Sequence, residues 1–535
     1  MDRREFMKLT AAGTAAIAIP GCGRDARPRT AAPATFDGSI AEANPAAPAT
    51  YDGAGADRKP NVLFIFDDQL RADVCGVYGG NNITTPNIDR LAGQGVVFAN
   101  SVSSCPLCTP YRGMLQTGRY PTHSGLIMNF VEANAVQNPH CLADVFAAAG
   151  YATGFIGKWH LSSGWRHEEG LYNSNQAAVD AYQAKNPETE YVPPGPGRLG
   201  YQHWQAYNFH TSFNNYFHYE DEAKKIYSDR YETDTQIDQA IAYMEKCRAS
   251  GQTFFLSVAP HPPHPPFDPG FIPAGYLEQT PETIQWSPNV PTANNPRTVM
   301  EMRYYLAMAK NMDDNLGRLM AYLETSGLAA DTIVVFTADH GEMHGSHGRV
   351  NKMVPYAEAM NLPLIVRWPK RIVAGSRTDA LQTPMDHLPT LCGLAGLGIP
   401  KEVDGTDLSQ AILGKGGGNS GDGREDVLIG SYTSNWDFLQ TGTDWPEWRG
   451  VKTKQYTYCK WLAGSEELYD NLADPYQLKN LAADGTEPEV LGRLRARMKD
   501  LLAAAHDDFR PGTGYGEWYD NQRNLIRTGL GPVGV

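Results

Sequence analysis

Four short apolar runs, each followed at once by polar residues able to do chemistry, constrain the fold of this chain more than any other feature. The runs cover residues 62–66, 153–156, 254–258 and 332–337. The polar residues after them are Asp67 and Asp68, Lys158 and His160, His261 and His264, and Asp339 and His340. In an open α/β sheet, the carboxyl ends of parallel strands meet at one edge, where ligands bind. We therefore expect these side chains to share one site.

The rest of the pattern agrees with such a sheet. A fifth apolar run covers residues 364–366, and helical patterns lie at residues 85–93, 141–149 and 303–325. Strands that alternate with helices predict an α/β fold with a large, mostly parallel sheet sandwiched by helices.

A Gly-rich stretch at residues 414–423 predicts a linker, and the pattern of alternating strands and helices ends there. Short strands with aromatic residues are predicted at 427–432, 449–451 and 456–461, followed by a polar helix at 487–505. These elements predict a smaller C-terminal α+β subdomain.

The 535 residues thus divide into five segments. They are an export signal at 1–22, a flexible tether at 23–58, a catalytic domain at 59–424, the α+β subdomain at 425–510 and an unassigned tail at 511–535. A hydrophobic content of 41% suffices to bury a core, and a formal net charge of −14 argues against a nucleic-acid partner.

The N-terminus predicts export by the twin-arginine machinery. Arg3 and Arg4 precede an apolar run at residues 9–19, which has the length of a signal peptide and is too short to span a bilayer. Cys22 lies where a lipoprotein would be cleaved and lipidated, although Pro20 departs from that pattern. We expect a periplasmic or exported protein without a transmembrane span in its mature chain; anchoring through a lipidated Cys22 and an unmodified Cys22 both stay open.

Carboxylates at two of the strand ends predict a metal site. Asp67 and Asp68 are adjacent like charges that need a cation or a proton, and Asp339 and His340 add further ligands. Oxygen donors in this number suit Ca²⁺ or Mg²⁺. By contrast, the pair at residues 313–314 lies within a helical pattern and is expected to be a solvated face.

A cysteine motif carries the most specific signal. Cys108 and Pro110 precede Arg112 in a Cys-x-Pro-x-Arg pattern, and Leu-x-Thr-Gly-Arg follows at residues 115–119. This sequence resembles the signature of the type I sulfatases, in the alkaline phosphatase superfamily. The alternative is a redox Cys-x-x-Cys pair of Cys105 and Cys108, but such a motif normally opens a helix in a small thioredoxin-like unit.

The resemblance covers residues 60–480 and implies an alkaline-phosphatase-like fold and roles for specific residues. It implies that a maturation enzyme oxidises Cys108 to Cα-formylglycine, whose hydrate is the nucleophile. The residues that it implies as metal ligands are Asp67, Asp68, Asp339, His340 and the modified Cys108. Those that it implies as catalytic or sulfate-binding are Arg112 holding the hydrate, Lys158 and Lys352 neutralising the sulfate, His160 accepting a proton and His264 donating one.

One departure concerns the family's single Pro-His-x-Pro motif, which is doubled here. His261 and His264 each match it; the Phe267 that follows favours His264, with His261 as the fallback.

The substrate expected from the sequence is a sulfated carbohydrate. The insertion at residues 172–227 is rich in Tyr, Asn, His and Trp, which suits stacking on sugars, although a lid without a ligand role fits equally well. Two rivals remain: a phosphodiesterase or phosphonate monoester hydrolase that uses the same oxidised cysteine, and a catalytically silent, lipid-anchored binding protein. The remaining histidines are expected at the surface or rim (His123, His210 and His218) or in loop packing (His344 and His347).

Overall fold

The structure is a computed structural model that describes residues 59–163, 190–414, 423–432, 447–520 and 524–533. The predicted signal, the tether, Cys22, most of the Gly-rich linker and the first part of the aromatic insertion lie outside these residues, so those predictions stay predictions. Among the helices of the described ranges, none has the length and apolar character needed to cross a membrane.

Sixteen strands are present in the described residues. They are β1 (Asn61–Asp67), β2 (Val96–Ser101), β3 (Ala152–Lys158), β4 (His203–Tyr207), β5 (Phe217–His218), β6 (Ile226–Tyr227), β7 (Phe254–Ala259), β8 (Thr332–Ala338), β9 (Leu364–Arg367), β10 (Ser376–Gln382), β11 (Asp426–Ser431), β12 (Trp448–Thr453), β13 (Tyr456–Trp461), β14 (Glu466–Asp470), β15 (Arg527–Thr528) and β16 (Gly531–Pro532).

The same ranges contain eleven α-helices. They are α1 (Pro86–Gly93), α2 (Cys108–Thr117), α3 (Pro121–Ser124), α4 (Leu142–Ala148), α5 (Glu232–Ser250), α6 (Pro296–Thr325), α7 (Ala357–Met360), α8 (His387–Ala395), α9 (Ser409–Ile412), α10 (Leu481–Asp484) and α11 (Pro488–Ala504).

Eight strands form the main sheet, in the order β10-β2-β9-β8-β1-β7-β3-β4. Every neighbouring pair is parallel except the two pairs that include β9, which runs antiparallel to β2 and β8. The mostly parallel sheet is confirmed, as are all five strands predicted for it. The sequence analysis missed β2, β4 and β10, because their alternating or mixed polarity does not give a continuous apolar run.

Helices cover both faces of this sheet. Phe255 in β7 stacks on Phe146 of α4, with ring centroids 4.4 Å apart. The next residue, Leu256, lies on the other face beside Tyr243 of α5. Because successive side chains of a strand point to opposite faces, these contacts place helices on both sides. The predicted sandwich is confirmed.

The long helix α6 begins earlier than predicted. It starts at Pro296, and the side chain of Asn295 accepts a hydrogen bond from the backbone N–H of Arg297. An Asn before a Pro is a helix start signal, which the apolar spacing alone did not reveal. The sequence analysis also missed α5, whose apolar residues are spread more thinly.

The C-terminal subdomain is a four-stranded antiparallel sheet, β11-β12-β13-β14, with α11 on one face. On that face, Val451 and Leu468 form a cluster with Leu494 of α11. On the other face, Ile429 and Trp448 belong to a cluster with residues of the domain that contains the main sheet, such as Val102 and Met343. The predicted α+β subdomain is confirmed, and its sheet is buried on both sides.

The C-terminal segment after α11, unassigned from the sequence, folds back onto the catalytic body. Tyr515 and Trp518 are buried in the main core, and the hydroxyl of Tyr519 donates to the carbonyl of Gly125 at 2.6 Å. Tyr515 also contacts the buried ion pair of Arg449 and Asp507.

One prediction about the carboxylate pair in α6 is wrong. Asp313 is fully buried, because its side chain caps the start of α1. Its Oδ1 accepts hydrogen bonds from the backbone N–H groups of Asn87 and Ile88 at 3.0 and 2.8 Å. Thr85, at the N-cap position of that helix, makes no side-chain cap. Asp314 is 39% exposed and pairs with Lys310.

We expect Asp313→Ala to lower the free energy of unfolding by about 1–3 kcal/mol, because it leaves two buried N–H groups without an acceptor. Asp314→Ala is the matched control, and its effect should stay below about 0.5 kcal/mol. Urea unfolding midpoints of the two variants test this. Equal midpoints would show that Asp313 does not cap α1.

Candidate active site

The four strands predicted to bear the site are neighbours in the middle of the sheet, in the order β8-β1-β7-β3. Their carboxyl ends are joined by backbone hydrogen bonds, from Asp339 N–H to the carbonyl of Asp67 at 3.0 Å and from Asp68 N–H to the carbonyl of Pro260 at 3.2 Å. The polar residues after these strands therefore meet at one edge, as predicted.

Cys108 opens a fully buried helix, α2, that points its N-terminus at this edge. Its Sγ lies 3.2 Å from Nε2 of His340, 3.7 Å from Nζ of Lys158 and 3.9 Å from Oδ1 of Asp68. Arg112 is one helical turn further on, so it faces the same side as Cys108. The motif spacing thus places both residues in the site.

The redox alternative finds no support in the surroundings of Cys105. Both cysteines are free thiols. Burial raises the pKa of the Cys105 thiol to about 12, whereas a redox-active thiol needs a lowered pKa.

The guanidinium of Arg112 links three elements of the site. Its Nη2 lies 3.0 Å from Oδ2 of Asp68 and 3.1 Å from Oδ2 of Asp339, and its Nη1 donates to the carbonyl of Lys158 at 2.5 Å. The side chains of Arg112 and both aspartates are buried. A buried guanidinium in this position fixes the two carboxylates and supplies a counter-charge.

Lys158 reaches the site because a glycine precedes it. Gly157 has φ +108°, and a Cβ there would lie 2.3 Å from the carbonyl oxygen of Ala259. Only glycine permits this close approach of β3 to β7. The Nζ of Lys158 then lies 2.5 Å from Oδ2 of Asp68.

The carboxylates of the site differ in their electrostatics. Burial, followed by repulsion from Asp339 and Asp68, raises the pKa of Asp67 well above its ordinary value. Burial and the charge of Asp68 raise the pKa of Asp339 to about 6. Burial alone would raise the pKa of Asp68 as well, but Lys158 and other nearby cationic groups hold it well below its ordinary value.

These residues fit a divalent cation. One ligand atom from each of Asp68, Cys108, Asp339 and His340 lies within 4.8 Å of the others. Asp67 is adjacent, and neither of its buried oxygens has a hydrogen-bond partner among the described residues. A buried carboxylate without a partner is costly, and an oxygen-binding cation beside it would remove that cost.

The doubled histidine motif forms two lysine–histidine pairs. Nε2 of His261 lies 3.0 Å from Nζ of Lys158, and Nε2 of His264 lies 3.3 Å from Nζ of Lys352. His261 is fully buried, whereas His264 is only partly buried. Both motifs therefore reach the site, with His264 nearer to solvent.

The backbone defines the tautomer of both histidines. Nδ1 of His261 lies 2.7 Å from the carbonyl of His210, and Nδ1 of His264 lies 2.7 Å from the carbonyl of Pro265. Since a carbonyl only accepts, each Nδ1 carries the proton and each Nε2 presents a lone pair to its lysine. Burial, and next the paired lysine, lowers the pKa of both imidazoles well below the ordinary value.

His160 is buried, and its ring has no polar partner within the part of the chain that the structure describes. Neither ring nitrogen has a hydrogen-bond partner among the described residues. The ring lies between Phe130 and Phe209, with centroid distances of 4.7 Å to each. Burial and the charge of Lys158 lower the pKa of His160 well below its ordinary value, so the ring is neutral.

Three residues at this site, Gln69, Glu342 and Phe209, were not assigned roles from the sequence. Gln69 is fully buried between Lys352 and Glu342 and bonds to both. Phe209 places its ring centroid 4.9 Å from Nζ of Lys158. Gln69 directly follows the two aspartates, a position that could have indicated its role, but Phe209 lies in an aromatic-rich stretch without any local signal.

The aromatic insertion is more structural than expected. It contributes the edge strand β4, and Tyr207, Tyr216 and Tyr219 are fully buried in their own cluster. These three rings are therefore not free to stack on a sugar, and Phe209 is the half-buried aromatic that reaches the site.

The histidines expected at the surface or rim are buried, so that prediction is wrong. His123 pairs with Asp404, His210 bonds to the carbonyl of Phe217, and His218 lies beside Gln239. His344 packs against Phe267 and Tyr305, as loop packing predicts. His347 stacks on Tyr356.

Comparison with known proteins agrees with this geometry. The family model described as Sulfatase matches residues 60–397, and the model for the C-terminal part of N-sulphoglucosamine sulphohydrolase matches residues 345–504. An ulvan-active sulfatase of Formosa agariphila is 31% identical over 84% of this chain and 83% of its own length. An endo-4-O-sulfatase of Bacteroides thetaiotaomicron is 29% identical over 84% of this chain and 92% of its own length.

A solved structure from the work on glycosaminoglycan metabolism by Bacteroides thetaiotaomicron superposes with a TM-score of 0.73 at 27% identity. It covers 85% of this chain and 98% of its own. The family model spans more than half of the chain, and its match includes the motif around Cys108 and all four site-bearing strand ends. The chain therefore belongs to the sulfatase family, the hydrolases of sulfuric esters.

Proposed function

We propose that this protein hydrolyses sulfate monoesters of carbohydrates, with Cys108 matured to formylglycine as the nucleophile and Ca²⁺ or Mg²⁺ bound beside it. The observation that carries the proposal is the position of Cys108 Sγ, within 4 Å of His340, Lys158 and Asp68. Carboxylates beside residue 108 can hold a cation, and a lysine beside it can neutralise a sulfate group, so these neighbours suit a nucleophile that attacks a sulfate.

The cation would be held by Asp67, Asp68, Asp339 and His340 together with the matured residue 108. When bound, it supplies Lewis-acid polarisation of the reacting oxygens and charge neutralisation. The unpartnered oxygens of Asp67 are the feature of the site that supports it.

When matured, residue 108 would supply two hydroxyl groups on one carbon, the first a nucleophile for sulfur and the second a group whose loss of a proton would let sulfate leave without water attacking sulfur. Arg112 would hold this group in place, because its guanidinium is already fixed beside residue 108 by hydrogen bonds to Asp68 and Asp339. The neutral ring of His160 would accept the proton that the second hydroxyl loses.

Lys158 and Lys352 lie on either side of the histidine pair and would bind the sulfate oxygens. The charge of a sulfate group spreads over three oxygens, and positive groups aimed at it stabilise the transition state more than any other feature of such a site. His264, nearer to solvent than His261, would protonate the leaving oxygen only after taking up a proton at Nε2, which a bound sulfate anion beside it would favour.

A sulfated carbohydrate as substrate is supported by the relatives, whose names refer to ulvan and to 4-O-sulfate groups. The rival within the superfamily is a phosphodiesterase or phosphonate monoester hydrolase. Steady-state kinetics on paired aryl sulfate and aryl phosphonate esters separate the two activities, and the proposal requires the higher kcat/KM on the sulfate.

The central test is Cys108→Ala. We expect the variant to fold with an unchanged circular dichroism spectrum and to lose turnover by at least about 10³-fold, because the nucleophile is gone. Peptide mass spectrometry of the wild type, produced with a maturation enzyme, should show formylglycine at residue 108. An active Cys108→Ala protein would refute the mechanism, and a wild type whose Cys108 stays a thiol would favour the binding-protein rival.

Metal binding can be tested without an activity assay. Ca²⁺ or Mg²⁺ added to chelator-treated protein should raise Tm, because a ligand that binds only the folded state stabilises it. Asp67→Asn should abolish this shift and leave Tm of the metal-free protein unchanged or higher, because it removes repulsion from Asp68 and Asp339. The same metal-dependent shift in the variant and the wild type would exclude Asp67 as a ligand.

The doubled motif permits a matched test of the general acid. His264→Ala should cost little on an aryl sulfate, whose phenolate leaves without a proton, and on the order of 10²–10⁴ in kcat on a sugar sulfate. His261→Ala is the control, and we expect it to impair both substrates, because His261 contacts Lys158. A leaving-group-selective loss in His261→Ala would assign the acid to that residue instead.

A further inference from the structure

Gln69 connects more parts of the site than its lack of charge suggests. Its backbone N–H donates to Oδ1 of Asp339 at 3.0 Å, and its backbone carbonyl accepts from the hydroxyl of Tyr305 at 2.9 Å. Its side chain bonds to Lys352 through Oε1 and to Glu342 through Nε2. All four polar groups of a fully buried residue thus have partners.

The orientation of the Gln69 amide follows from these partners. The ammonium of Lys352 can only donate, so it must meet the amide oxygen. The carboxylate of Glu342 accepts from the backbone N–H groups of Asn351 and His344, so it meets the amide nitrogen. A glutamate at position 69 would place one carboxylate oxygen next to the carboxylate of Glu342, and the two would repel. An apolar residue there would leave both Lys352 and Glu342 without the hydrogen bond that Gln69 provides.

The backbone beside Lys352 is held independently of Gln69. Met353 N–H donates to the carbonyl of Pro106 at 3.1 Å, and its carbonyl accepts from Nε1 of Trp448 at 2.8 Å. The remaining freedom lies in the long side chain of Lys352, whose end contacts Gln69 and His264.

The two lysines of the site differ in their partners. Lys158 forms an ion pair with Asp68 at 2.5 Å. Within the described ranges, Lys352 has no carboxylate within ion-pair distance, and its acceptors are the amide of Gln69 and the ring of His264. A neutral acceptor directs an ammonium group without cancelling its charge.

We propose that Gln69 is a positioning residue that aims Lys352 at the sulfate while leaving its positive charge uncompensated. This inference rests on the proposed function, because it takes the sulfate group as the ligand of Lys352. It assigns to Lys352 the larger share of sulfate binding in the free enzyme.

The test measures the affinity of inorganic sulfate by calorimetry, together with its inhibition constant against an aryl sulfate. Gln69→Glu should weaken sulfate binding by about tenfold or more, because the new carboxylate pairs with Lys352. Gln69→Met, of similar length but without polar ends, should weaken it by a smaller factor. Thermal unfolding and the metal-dependent Tm shift confirm that each variant is folded and loaded.

A double-mutant cycle separates positioning from a merely structural role. In the Lys352→Ala background, Gln69→Met should change sulfate affinity by less than about twofold, because this uncharged replacement can act only through Lys352. Additive losses in the double mutant, or unchanged sulfate affinity in both Gln69 variants, would overturn the positioning role of Gln69 and leave the proposed function intact. Wild-type protein that neither binds sulfate nor hydrolyses the ester would overturn the proposed function and this inference with it.

Discussion

The site depends on the hydrogen bonds and ion pairs that the guanidinium of Arg112 forms with Asp68, Asp339 and the backbone of Lys158. Three carboxylates and a cysteine meet where the sheet is buried on both faces, and like charges in such a place repel strongly. Arg112 rises from the same helix as Cys108 and binds Asp68, Asp339 and the backbone of Lys158. It therefore joins α2 to three strand ends at once. Removing one partner of a buried pair of this kind costs about 3–5 kcal/mol, so Arg112 supports both the fold and the chemistry.

Around the Arg112 guanidinium, the two lysines of the site lie in two layers, each paired with a neutral histidine. Lys158 and His261 form the deeper pair, close to Asp68, and Lys352 and His264 form the outer pair. The acidic chain, with a net charge of −14, thus collects positive charge at one place. The ammonium groups of these lysines can attract an anionic ester locally, although the chain as a whole is acidic.

The C-terminal sheet is part of the site's support rather than an appendage. Gly430 N–H in β11 donates to the carbonyl of Ser104, four residues before Cys108, at 2.9 Å. Trp448 in β12 bonds to the carbonyl of Met353, next to Lys352. The segment that precedes Cys108 and the segment that contains Lys352 are therefore both hydrogen-bonded to this sheet. The segment after α11 in turn covers the buried pair of Arg449 and Asp507 through Tyr515.

The amino-acid sequence was enough to predict the class of fold, the edge of the sheet that carries the site and the motif around Cys108. It did so because apolar runs, helical spacing and strand-end polarity are local patterns. The three-dimensional structure was needed to establish the pairing of each histidine with a lysine, the contacts of Gln69, the approach of Phe209 to Lys158 and the burial of Asp313. Those contacts join residues far apart in the chain, such as Gln69 and Lys352, so their partners depend on packing that no local pattern encodes.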